Sequence, residues 1–118
     1  MGRPARYNID LVRGDSKTYA LAFTDNDGTA IDITGWTIYY TVKERLTDDD
    51  EDAIIRKIVT AEAGSAVGEV NIVLENTDTQ DLEIKVYWHD IQVKNLDDKI
   101  NTIAFGQLNV IADVTRTY

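Results

Sequence analysis

Side chains able to do chemistry are few in this 118-residue chain. The sole histidine, His89, stands beside Asp90 in YWHDIQV; the two serines are Ser16 and Ser65; Asp25 and Asp27 precede Gly28 in TDNDGTAIDITGW; and Arg13, Gly14 and Asp15 spell RGD. Neighbours on a strand point to opposite faces, so His89 and Asp90 cannot act on each other as a dyad. One histidine without any cysteine is a poor zinc set. His89 is therefore expected to be structural, hydrogen-bonded inside the fold or lying at its edge. A calcium loop needs oxygen ligands at its first, third and fifth positions, glycine at the sixth and glutamate at the twelfth. Aligning Gly28 with the sixth places Phe23 first and Thr34 twelfth, and the flanks read as strands, so the stretch is better read as a turn in which Asn26, Asp27 and Gly28 tolerate positive φ. Neither serine sits in a nucleophile elbow. RGD most simply turns the chain, and no carboxylate is set in an apolar pocket that the sequence can identify as raising its pKa for acid–base work. The expectation is a protein that is not an enzyme, with no catalytic residues, no metal and no cofactor.

The elements that must position these residues are strands. Tyr19, Leu21 and Phe23 alternate with polar neighbours; so do Trp36, Ile38, Tyr40 and Val42; Val70, Ile72 and Leu74; Tyr87, Ile91 and Val93; and Leu108, Val110, Ala112 and Val114. Nowhere does a period of 3.6 persist. With further strands at Ile9 to Val12 and Ile54 to Val59, the spacing predicts an all-β, two-sheet antiparallel sandwich of seven or eight strands, a single domain over residues 1–118. NTDTQDLEI suits one helical turn with Thr77 or Asp78 accepting from the N–H groups that follow. Asp48, Asp49, Asp50, Glu51 and Asp52 form an acidic run, expected as a mobile loop at about 46–52. It is read as solvated, the alternative being contact with the basic Arg3, Arg6, Arg13 and Lys17 of a neighbouring copy. A net charge of −9 disfavours nucleic acid and anionic membrane as partners. The opening MGRPARYNID lacks the apolar core of a signal peptide, and a soluble intracellular product is expected. Tyr87, after the NTDTQDL corner, is placed like a tyrosine corner, whose hydroxyl bonds upstream backbone. Trp88, Asp90 and Gln92 then face away from the core.

Read in order, RGDSKTYALAFTDNDGTAIDITGWTIYYTVK, GEVNIVLENTDTQDL, YWHDIQV and TIAFGQLNVIADVTR resemble the small immunoglobulin-like domain of tailed-phage proteins, similar to the N-terminal domain of the phage baseplate upper protein. The resemblance runs from Arg13 to Arg116. It departs where Glu83 to Lys85 replace a glycine and where His89 replaces a second aromatic residue. It implies a non-catalytic structural or accessory component of the virion (baseplate, tail or another part), made in the host cytoplasm and docking to other phage structural proteins, with homo-oligomerisation left open. Outward Trp88 and Tyr39, or the first strand with Arg3 and Arg6, are the expected interface. The alternatives are a binding module for carbohydrate or host surface, which needs aromatic rings flanking a groove, and a metal-assisted hydrolase, which needs carboxylates brought together from several loops.

Overall fold

The computed structural model describes residues 5–62 and 67–114. Arg3 and Ser65 lie outside them. Alternating apolar residues produce eight strands among the described residues: β1 (Ala5–Arg6), β2 (Ile9–Val12), β3 (Lys17–Ala22), β4 (Thr37–Lys43), β5 (Ile55–Thr60), β6 (Glu69–Leu74), β7 (Val86–Lys94) and β8 (Ile100–Ile111). The protein is all-β. One sheet has six strands in the order β1-β8-β7-β4-β5, with β2 also on β8; β3 and β6 make a second, two-stranded sheet.

The core gathers side chains from both sheets. Tyr19 from β3 and Val70, Ile72 and Leu74 from β6 meet Ile38, Tyr40 and Val42 from β4, Tyr87, Ile91 and Val93 from β7, and Leu108 and Val110 from β8. Each set is a period-2 series, so one register slip would turn it out to solvent.

The expected all-antiparallel pairing needs correction. β1 and β2 run parallel to β8, with Arg6 opposite Phe105 and Ile9 opposite Leu108. Antiparallel neighbours can be joined by a tight hairpin, whereas a parallel pair needs a long crossover. Here the rest of the domain is that crossover, so no local signal sets the direction. Ala112 and Val114, which continue the alternation of Leu108 and Val110 and are expected with them in the core, are not core: Ala112 is exposed and Val114 is 99% exposed. β8 ends at Ile111, and it is Asp113 that turns inward, ion-paired with Arg13 at 2.9 Å.

The turns carry their own explanations. The Asp25 carboxylate accepts hydrogen bonds from the N–H groups of Asp27 and Thr29, at 2.9 and 3.0 Å, and Gly28 adopts φ +81°. RGD is the turn after β2, where Asp15 N–H donates to the Val12 carbonyl and Gly14 has φ +87°. The helical turn α1 is Asn76–Thr79, but Asp78 reaches backwards to accept from Glu75 N–H at 2.8 Å rather than forwards. In the acidic run, residues Asp50–Asp52 form a short 3-10 turn.

Candidate functional site

Two places concentrate polar chemistry: one inside the core and one on the outer face of the large sheet.

The inner one is built around His89. Its Nε2 lies 2.6 Å from the Tyr7 carbonyl, which can only accept, so Nε2 carries the proton and Nδ1 is the acceptor for the Tyr40 hydroxyl at 2.8 Å. Tyr40 then accepts from Tyr19 at 2.9 Å. The protons thus run from Tyr19 to Tyr40 to His89 to the Tyr7 carbonyl. Burial keeps all three side chains uncharged: it holds the His89 pKa below its ordinary value, raises Tyr19 to about 12 and pushes Tyr40 well above 10.0. The Tyr7 ring stacks on the imidazole with an interplanar angle of 3°. Every polar partner is spent within the fold. Of the two placements expected for His89, it takes the hydrogen-bonded one in the interior.

This network also explains the gap between β1 and β2. In a parallel ladder the Tyr7 carbonyl would take the N–H of Gln107. Tyr7 N–H keeps its place, donating to Phe105 at 2.8 Å, but its carbonyl is diverted to His89. The Asn8 side chain fills in, its Oδ1 accepting from Gln107 N–H at 2.9 Å. Gly106, directly opposite His89, makes room: a Cβ there would stand 2.3 Å from the Tyr7 carbonyl oxygen.

The outer site is a cleft of about 310 Å³ on the face that β3 and β6 do not cover. Because Tyr40, Val42, His89 and Ile91 point inward, Tyr39, Thr41 and Lys43 of β4 and Trp88, Asp90 and Gln92 of β7 point outward into it. Register then arranges the floor. Phe105, Asp90, Thr41 and Arg56 are successive cross-strand partners on β8, β7, β4 and β5. Trp88 stands opposite Lys43 on one side of this row, and Gln92 opposite Tyr39 on the other.

The rim is ion-paired. Asp50, from the acidic run, takes Lys43 at 2.8 Å and Arg56 at 3.5 Å, and the hydrogen bond from Lys43 lowers its pKa. Arg56 also lies over the Tyr39 ring at 5.9 Å, and Arg6 over Phe105 at 5.3 Å. Asp90 differs: desolvation raises its pKa, nearby Lys43 opposes that rise and Asp50 adds to it. Among the described residues its carboxylate makes no hydrogen bond or ion pair.

Of the interface residues read from sequence, Trp88 and Tyr39 come together in this cleft, Arg6 stacks on one of its rings, and Arg3 lies outside the described residues. Phe105, Lys43, Arg56 and Asp50 were missed as site residues. Counting outward from the inward Leu108 and Gly106 identifies Phe105, whereas the partnership of Asp50 with two strands depends on how its loop folds back.

Fold and site together define a class: an all-β protein with an aromatic, ion-rimmed cleft on a sheet face that the described residues leave open. No protein-family model matches the chain, and the search of curated proteins finds no relative.

Proposed function

We propose that this protein is a non-catalytic structural or accessory component of a tailed-phage particle, built on an immunoglobulin-like two-sheet frame and docking to other phage structural proteins through the outer cleft. The observation that carries the reading is the gathering of Tyr39, Trp88 and Phe105 on a sheet face that the described residues leave open. Aromatic residues at the centre of a polar, charged rim are the usual composition of a protein contact. The order of sequence signatures from Arg13 to Arg116 supports the phage assignment, and the frame is supported by the Tyr87 hydroxyl, which accepts from Glu83 N–H at 3.0 Å as a tyrosine corner does. The polar groups of the buried network are all spent on each other, which favours a structural role over chemistry.

The test is co-expression with the structural proteins encoded beside it. A complex that survives gel filtration, and that Trp88→Ala weakens at least tenfold while shifting the thermal midpoint by no more than about 2 °C, supports the reading. A Trp88→Ala chain that no longer folds would instead place Trp88 in the core. The second reading is a module for carbohydrate or host surface, favoured by Tyr39 and Trp88 standing on either side of the row that holds Asp90. It requires that neutral oligosaccharides bind in the cleft.

A further inference from the structure

Asp90 is the one charged side chain lining the cleft that makes no ion pair or hydrogen bond among the described residues. Half-buried on the floor, it lies between Phe105 and Thr41 in the cross-strand row, with Trp88 two residues before it on the same face. A carboxylate desolvated in this way is worth most to a ligand that restores both charge and hydrogen bonds.

The cations already present supply only part of that: Lys43 favours the Asp90 charge without bonding to it. Lys43 and Arg56 share Asp50 at the loop side of the cleft, and Arg6 is stacked on Phe105. Two of the aromatic lining residues, Tyr39 and Phe105, thus already carry a guanidinium from this chain, whereas no such contact involves Trp88 among the described residues. The cleft repeats one kind of contact, guanidinium on ring, and leaves one ring and one carboxylate over. Arginine suits that vacancy better than lysine, because its flat guanidinium can lie on an indole while giving two parallel hydrogen bonds to a carboxylate.

We propose that the cleft is the receptor for an arginine side chain of the partner polypeptide, held by Asp90 and stacked on Trp88. This deepens the docking reading and rests on it for the identity of the partner as a protein. The net charge of −9 draws a basic segment toward the domain at long range, and the cleft selects within it.

The test uses the two indole N–H signals of the chain, Trp36 and Trp88, in a proton–nitrogen correlation spectrum. Capped Gly-Arg-Gly should move Trp88 and leave Trp36 in place, and its citrulline counterpart, the same shape without charge, should move neither. Asp90→Asn should keep the fold and weaken binding at least tenfold; Trp88→Leu, read at the Asp90 and Gln92 amides, is the second arm and should weaken it similarly. Equal shifts from the citrulline peptide, unchanged affinity in Asp90→Asn, or a Trp88 response to a neutral hexasaccharide but not to the arginine peptide would each overturn the proposal. A complex with a neighbouring phage protein that forms equally well in Asp90→Asn removes the arginine site and leaves docking intact. Arginine binding without any such complex removes docking and leaves the site.

Discussion

Tyr87 shows how one hydroxyl fixes a corner. Its ring is buried in the core while its oxygen takes the N–H of Glu83, four residues upstream, where the chain leaves α1 for β7. Tyr87→Phe keeps the ring and deletes only this bond. It should cost about 1 kcal/mol in urea unfolding, a neutral hydrogen bond with a stranded donor, and a loss below about 0.3 kcal/mol would mean water replaces the hydroxyl at no penalty. The alternation around Tyr87 made its burial and the outward turn of Trp88, Asp90 and Gln92 legible in the sequence. What Asp90 lacks was not legible, because being unpartnered is a property of all the strands around it.

At the scale of the element, the N-terminal strand is held by an interlock rather than by an unbroken ladder. His89 crosses over Gly106 to reach the Tyr7 carbonyl, and Asn8 replaces the backbone bond that this costs. Gly106→Ala would drive a Cβ onto the Tyr7 oxygen and the Asn8 side chain. Overpacking of that kind costs about 1–3 kcal/mol, and the backbone that must yield is the segment joining β1 and β2. Hydrogen exchange should therefore show loss of protection at Leu11 and its neighbours in β2 while β4 and β7 stay protected; uniform destabilisation would mean that β2 is not a separable element. β8 holds a second device of this sort. Between Ile91 and Gln92 the pairing with β7 slips by one, so that Ile103 and Ala104 both pack on the core and Thr102 returns to the outer face beside Gln92. A strict period of two cannot anticipate such a bulge.

For the whole molecule, the buried network sets limits on pH at both ends. His89 has a folded pKa below 6.5, so the unfolded chain binds its proton first. Stability from this group is complete above 6.5 and is lost as pH falls through that value towards the lower folded pKa. The tyrosines act in the opposite sense. Tyr19 titrates near 12 in the fold and Tyr40 well above 10.0, while both lose protons near 10 when unfolded, so stability falls as pH rises beyond 10. Denaturation midpoints should be highest between about pH 7 and 9.5 and fall on either side. As the chain has one histidine, its ring-proton shift reports the acid limb directly; titration at or above 6.5 would contradict the buried neutral tautomer.

The sequence by itself determined the strands from β2 onward, most of the core and the turns at Asp15 and Gly28. These follow from which neighbours along the chain are apolar, from glycines that tolerate positive φ and from carboxylates, such as Asp25, that reach their own backbone. Only the tertiary structure decided that the first strands run parallel to the last, that Asp113 rather than Ala112 turns inward, and that Trp88, Tyr39, Phe105 and Asp90 share one cleft. Alternation assigns a residue to a face, whereas neighbours on that face are set by register between strands as distant as Arg6 and Phe105, and a register of that kind is fixed only when the core closes.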